Sequence, residues 1–208
     1  LLTTKSASIK PRIQRFAQEY PEYSFEEAID HIKPDVLIGA TGVAGTFNEA
    51  IIRKMTQANQ RPVIIALSNP TSHTECTAEQ AYQWSGGQVI FASGSPFGPV
   101  CYAGEWFRPA QGNNAYIYPG VGLGVYASSA RLVTQRMFLK AAEILAQSVT
   151  DQELNAGAIY PSLTRVRAVS HAIAVTICRV AIQEGLVKTK LPEDLDSYVK
   201  SLMYDPSY

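Results

Sequence analysis

The sequence predicts an α/β fold, a doubly wound parallel sheet followed by a helical C-terminal region. Three observations carry that prediction. Val63-Ile64-Ile65-Ala66-Leu67 is an apolar run without polar alternation, the pattern of a strand buried on both faces in a sheet covered by helices. Two further short apolar runs lie either side of it, each separated from it by a segment with its own helix-start signal. After Gln111-Gly112-Asn113-Asn114 the strand-like runs cease and long helical patterns take over. Pro70 stops the central run, because proline cannot donate to a sheet ladder and biases Asn69 toward extended backbone. Asn69 is therefore expected at the carboxyl end of a central strand, where open α/β sheets place their ligands.

From the start of the chain, residues 1–23 are mixed, with a short helical pattern after Pro11 carried by Ile13, Phe16 and Ala17. Ser24 with Glu27 three residues on is a capping box for a helix from Phe25 to Ile32, which Pro34 ends. Asp35 to Gly39 reads as a second buried strand. It runs into Ala40-Thr41-Gly42-Val43-Ala44-Gly45-Thr46-Phe47 and a helix from about Asn48 to Ala58. With Val63–Leu67 these segments complete a βαβ unit. Thr77 and Gln80 cap another helix, reaching about Trp84 and stopped by Gly86-Gly87. Val89 to Ala92 is the third strand, and it enters a Gly- and Pro-rich loop, Ser93 to Pro99. Cys101 to Phe107 suits a small hairpin about Ala103-Gly104.

The second half reads as helices. Pro119 suits the first turn of a helix running to about Ala130. Another is expected from Thr134 to Ser148, and a short one from the Thr150 and Glu153 pair until Gly157 interrupts. Thr164 to Glu184 is a long helix with the stripe Val166, Val169, Ile173, Ile177 and Val180, closed by Gly185. Leu186 to Tyr208 is expected to be an extended arm, helical near Leu195–Met203.

Composition narrows the classes of function. With 208 residues the chain can bury a sizeable core, and 46% hydrophobic with 17% charged content is ordinary for a globular protein. Lys plus Arg balances Asp plus Glu at 18 each, so nothing points to nucleic acid or to an anionic membrane surface. No apolar stretch is read as reaching the length of a membrane span. Cys76, Cys101 and Cys178 are odd in number and widely spaced, which suits reduced thiols. The start, Leu1-Leu2-Thr3-Thr4-Lys5, has neither an initiator Met nor a signal-peptide layout, and an internal fragment is expected.

Candidate functional residues gather at the strand ends. Gly39, Ala40, Thr41 and Gly42 begin a loop between a strand and a helix, where glycines let a phosphate or ribose approach the backbone. The spacing is not Gly-x-Gly-x-x-Gly, and the same glycines would equally serve tight packing. Asn69, Ser93 and the pair Asn113 and Asn114 offer neutral donor and acceptor groups suited to a small substrate or a nicotinamide. Capping of turns is the competing role for each asparagine. His31, His73 and His171 are isolated, so no metal-ligand cluster is readable. Nor is a nucleophilic triad, and most acidic residues, such as Glu26, Glu79 and Asp151, sit at helix starts.

Four stretches in order, Ala66-Leu67-Ser68-Asn69-Pro70-Thr71, Glu75-Cys76-Thr77-Ala78-Glu79, Phe91-Ala92-Ser93-Gly94-Ser95-Pro96-Phe97 and Gln111-Gly112-Asn113-Asn114, resemble the C-terminal half of malic enzymes. Tyr118-Pro119-Gly120 and Tyr160-Pro161 continue the resemblance over nearly the whole chain. It implies a partial Rossmann-like sheet and oxidative decarboxylation of (S)-malate to pyruvate and carbon dioxide, with reduction of NAD or NADP. It also implies a divalent Mn2+ or Mg2+ that polarises the reacting carbonyl. Asn69 would then contact malate and the nicotinamide, Asn113 and Asn114 the malate, and Gly39–Gly42 would line the cofactor.

The family's catalytic tyrosine and lysine, its metal ligands and its first dinucleotide fingerprint would lie upstream, leaving no catalytic residue and no metal ligand in this chain. The resemblance divides the chain into a cofactor-domain part (1–113), a helical return to the catalytic domain (114–185) and an arm (186–208). It favours a homodimer or homotetramer in the cytoplasm or the mitochondrial matrix. Lys5, Lys10, Arg12 and Arg15 suit a 2′-phosphate, whereas Gln14 stands where NADP-preferring members carry Lys, so the cofactor preference is open. The competing reading, of another class, is a non-catalytic nucleotide-binding or oligomerisation module.

Overall fold

The computed structural model describes residues 9–204. Lys5 and the last residues of the expected arm, 205–208, lie outside the described residues. The chain divides into two compact units, Leu1–Pro109 and Ala110–Tyr208.

The first unit contains three parallel strands, β1 (Val36–Gly39), β2 (Val63–Ala66) and β3 (Ile90–Ser93), adjacent in that order. Helix α1 (Pro11–Gln14) is a single turn, and α2 (Phe25–Ile32) opens on the expected capping box, with Ser24 and Glu27 exchanging hydrogen bonds. Between β1 and β2 runs α3 (Glu49–Ala58), whose N-cap Asn48 accepts from the Ile51 amide at 3.0 Å. Between β2 and β3 a 3-10 turn (Thr71–His73) precedes α4 (Ala78–Trp84), capped by Thr77 and Gln80 as expected. β4 (Val100–Tyr102) and β5 (Glu105–Phe107) form the hairpin, with Ala103 and Gly104 both at positive φ in its turn.

Strand register separates the two faces of this sheet. Leu37, Ile64 and Phe91 are in line, as are Gly39, Ala66 and Ser93 one step on. That face carries the core, where Ile64 and Phe91 meet Ile51, Ile52 and Met55 of α3 and Tyr82 of α4. Each large side chain buried there contributes about 1.5–3 kcal/mol. The opposite face is not covered by these helices. Val36 is 47% and Ile38 60% exposed, and Val63, Ile65 and Ile90 are only half-buried. The expectation of strands buried on both faces therefore fails for β1 and β2. Their composition is that of doubly covered strands, but every described helix packed on the sheet contributes its apolar residues to the Ile64 face.

The second unit opens with β6 (Ala110–Gln111) and a 3-10 turn (Asn114–Tyr116). Helix α5 (Tyr118–Ser128) has Pro119 in its first turn, and α6 (Gln135–Gln147) is capped by Thr134. The short α7 (Asp151–Asn155) carries the Thr150 and Glu153 capping box. A 3-10 turn (Leu163–Arg165) leads into α8 (Val166–Gln183), and α9 (Leu195–Leu202) completes the unit. The core of this unit is the crossing of α5 and α8. A Cβ at Gly120 would lie 2.7 Å from Ile173 Cβ, and one at Gly124 2.5 Å from Ile177 Cβ. Only glycine lets the helices approach so closely there. Val169, Ile173, Ile177 and Val180 are buried as the predicted stripe requires.

One expectation needs correction. Leu163–Gln183 is long and apolar enough in composition to cross a membrane, contrary to the sequence reading, and 50% of its apolar window is buried inside the protein. That burial reflects its place at the centre of the second unit, where α5, α6 and α9 pack against it.

Candidate functional site

The carboxyl ends of β1, β2 and β3 converge on a small group of polar residues in the first unit. β1 ends at Gly39, and the chain turns through Thr41–Thr46 before α3. Gly42 and Gly45 have φ of +69° and +72°, the left-handed region that glycine tolerates, and a Cβ at either would meet nothing within 4 Å. The outer side of this loop is thus open backbone, with Ala40, Thr41, Gly42 and Val43 exposed. Open glycine backbone between a parallel strand and the next helix suits the sugar-phosphate part of a dinucleotide.

Asn69 follows β2 and is exposed, as the Pro70 stop predicts. Its side-chain oxygen accepts from Ser95 Oγ at 3.0 Å, which orients the amide. Among the described residues its Nδ2 makes no hydrogen bond, so two donors remain for a ligand carboxylate or carbonyl. The neighbouring loop comes extremely close. A Cβ at Gly94 would lie 2.3 Å from the Leu67 carbonyl oxygen and 2.8 Å from Asn69 Nδ2. Ser93 is buried and donates to the Ser95 carbonyl at 2.8 Å, so it shapes this loop from inside and offers nothing to a ligand.

Beneath these loops lies a residue that sequence reasoning passed over. Glu75 is completely buried. Its Oε1 accepts from the Thr41 amide at 2.8 Å, from Thr41 Oγ1 at 2.9 Å and from Ser68 Oγ. Its Oε2 accepts from the Ser68 amide at 3.3 Å, and Ser68 Oγ in turn accepts from the Gly42 amide at 2.9 Å. Burial pushes the Glu75 carboxyl up, but the hydrogen bonds from Ser68 and Thr41 outweigh it and hold the group below its ordinary pKa. The side chain is therefore a buried carboxylate. Burial, and then the neighbouring Glu75 charge, push the Cys76 thiol up to about 12. Gly39 makes room for the carboxylate: a Cβ there would fall 2.7 Å from Glu75 Cγ and 2.6 Å from Phe47 Cζ. The sequence offered no signal for this role, because Glu75 stands two residues before the Thr77 cap of α4 and reads as one more acidic residue near a helix start.

Asn113 and Asn114 belong to the second unit. Both are exposed, and the Asn113 side chain caps the following 3-10 turn by accepting from the Ala115 amide at 2.8 Å. Its Nδ2 end is not consumed by that cap. Among the described residues no group of three or more His, Cys, Asp or Glu side chains is placed to hold a metal ion. Cys76, Cys101 and Cys178 are all free thiols, with only Cys101 exposed.

Comparison with known proteins shows the family and the fold. The family described as malic enzyme, NAD binding domain, matches residues 1–182. The NADP-dependent malic enzyme of Dictyostelium discoideum is 43% identical over 100% of this chain and 39% of its own length. The chloroplastic NADP-dependent malic enzyme of Zea mays is 46% identical over 100% of this chain and 33% of its own. The Columba livia NADP-dependent malic enzyme is 42% identical over 100% of this chain and 38% of its own. Among solved structures, the malic enzyme of Pyrococcus horikoshii superposes with a TM-score of 0.66 at 25% identity, covering 88% of this chain and 38% of that one. The Entamoeba histolytica malic enzyme shares the fold, with a TM-score of 0.74 at 19% identity over 97% of this chain and 39% of that one. The chain thus spans well under half the length of the relatives it matches. From its strand-end loops to its family match, the chain belongs to the malic enzyme family.

Proposed function

We propose that this chain is the dinucleotide- and malate-contacting C-terminal part of a malic enzyme that converts (S)-malate to pyruvate and carbon dioxide with reduction of NADP. The observation that carries this reading is the pairing of an open glycine loop after β1 with an exposed Asn69 amide, held by Ser95, after β2. NADP is favoured over NAD because the slime mould, maize and pigeon relatives are all named NADP-dependent. Lys10, Arg12 and Arg15, in and beside α1, are the cations available to a 2′-phosphate.

When bound, the dinucleotide accepts the hydride from malate. This chain's own residues bind and orient. The exposed backbone of Ala40, Thr41 and Gly42 receives the cofactor, while Gly39, buried at the end of β1, supports the turn from beneath. Asn69 donates through Nδ2 to the substrate carboxylate or the nicotinamide carboxamide, held in that orientation by Ser95. Asn113 and Asn114 supply further neutral donors to malate. Groups that take the hydroxyl proton, protonate the product and hold Mn2+ or Mg2+ are assigned outside the described residues. A homodimer or homotetramer in the cytoplasm or the mitochondrial matrix fits three free thiols and the family membership.

The test is an assay of the full-length protein beside this chain alone. The full-length protein should reduce NADP only when malate is supplied and release one carbon dioxide per NADPH, and the chain alone should do neither. Malate-independent reduction, or turnover by the 208-residue chain, would overturn the assignment.

A further inference from the structure

Glu75 is a buried carboxylate without a cation. Among the described residues no Lys, Arg or His forms an ion pair with it. Every donor it accepts from is neutral, and those donors come from two loops remote in sequence. Thr41 is 34 residues away and Ser68 is 7 away. A buried charge is costly unless fully hydrogen-bonded, so the carboxylate holds both loops against itself.

The backbone around it reinforces that clamp. The Phe47 amide donates to the Glu75 carbonyl at 3.0 Å, the Gly45 amide to the Thr74 carbonyl at 3.2 Å, and His73 Nδ1 lies 3.0 Å from the Gly42 carbonyl. Thr41 and Gly42 turn their amides inward to this cluster, yet Ala40, Thr41, Gly42 and Val43 all stay exposed, while Glu75 is completely buried. Glu75 is thus excluded from contact with anything that lies on their exposed surface, while it dictates where that surface sits relative to Asn69.

We infer that Glu75 is a positioning residue for the dinucleotide: it locks the Thr41–Gly42 backbone to the Ser68–Asn69 strand end and so sets cofactor affinity without touching cofactor. This rests on assigning the β1–α3 loop to the dinucleotide. A glutamine could not replace it. One of its side-chain positions would be an NH2 group facing a donor, leaving at least one N–H or O–H of Thr41 or Ser68 without an acceptor. The loop would then lose its registration on the β2 end while its own sequence stayed intact.

The experiment compares Glu75→Gln, Thr41→Val, Thr41→Ser and Ala40→Trp in the full-length enzyme, reading the KM for NADP, the KM for malate, kcat and Tm. Thr41→Val removes one of the clamp's donors from an exposed position, so it informs even if Glu75→Gln fails to fold. Expected for Glu75→Gln is a rise of about tenfold or more in the KM for NADP, with the malate KM little changed. Thr41→Val should shift the same parameter in the same direction by less, and Thr41→Ser, which keeps the hydroxyl, should restore it. When Glu75→Gln and Thr41→Val are combined in one chain, the two effects should fall short of adding, because both act through one contact. A lowered Tm with an unmoved NADP KM in both Glu75→Gln and Thr41→Val would make Glu75 a plain structural support and overturn the inference. Ala40→Trp separates the two layers of the argument. If it weakens NADP while the clamp variants do not, only the Glu75 role is overturned; if it too leaves NADP binding unchanged, the loop is not the dinucleotide site and both readings fall.

Discussion

At the scale of single residues, the site depends on side chains aimed by neighbours that do no chemistry. Asn69 is useful because Ser95 bonds its oxygen and so fixes which end of an exposed amide is left to donate. Asn69→Ala in the full-length enzyme should lower kcat/KM for malate by more than about tenfold, since it removes the amide donors that the substrate acceptors would pair with. Steady-state kinetics check this, and an unchanged kcat/KM would remove Asn69 from the site. Asn69 was legible in the sequence because its signal is local: an apolar strand, an amide, then a proline. Glu75 was not, since its carboxylate meets Thr41 and Ser68 only after the sheet has assembled. Gly94 was visible merely as part of a Gly- and Pro-rich loop. That it leaves no room for a Cβ beside Leu67 and Asn69 is a fact of three-dimensional packing.

Among the elements, helix starts were the easiest feature to foresee. Each of the three capping boxes, at Ser24, Thr77 and Thr150, spans four residues and needs no tertiary partner. Burial of β1 was misread because an apolar run states what a strand could bury, not which of its faces a helix covers. The α7 cap yields a prediction about pH. Hydrogen bonds from Thr150 and Ser162, with the Arg165 charge, outweigh desolvation and hold the Glu153 carboxyl below its ordinary 4.5. Because the folded pKa is depressed, this stabilisation is complete above that ordinary value and is lost as pH falls through the lower, folded one. Glu153→Gln keeps the reciprocal cap, as Gln80 does in α4, but removes the charge, so it should cost about 0.5 kcal/mol at neutral pH, and the gap to the parent should close in strongly acid solution. Thermal melts across that range provide the check; a gap independent of pH would show that the carboxylate's charge plays no part in the cap.

For the whole molecule, the α/β-then-helical order was readable from periodicity alone, since strands and helices differ in the repeat of their apolar residues. What periodicity could not show was how much of the first unit's sheet stays uncovered. β1 lies at the edge of its sheet, with Val36 and Ile38 exposed on the bare face. The chain also carries a formal net charge of +0 at pH 7. An exposed apolar edge strand with no long-range repulsion to keep copies apart is a recipe for poor colloidal behaviour. The isolated chain should have its solubility minimum near neutral pH and scatter light increasingly with concentration there. Ile38→Lys, which puts a charge on the bare face and moves the net charge off zero, should raise the saturation concentration at pH 7 by about twofold or more. Equal saturation concentrations for the two proteins would show that the uncovered β1 face does not govern self-association. Purification of the chain on its own would accordingly go best well away from neutrality.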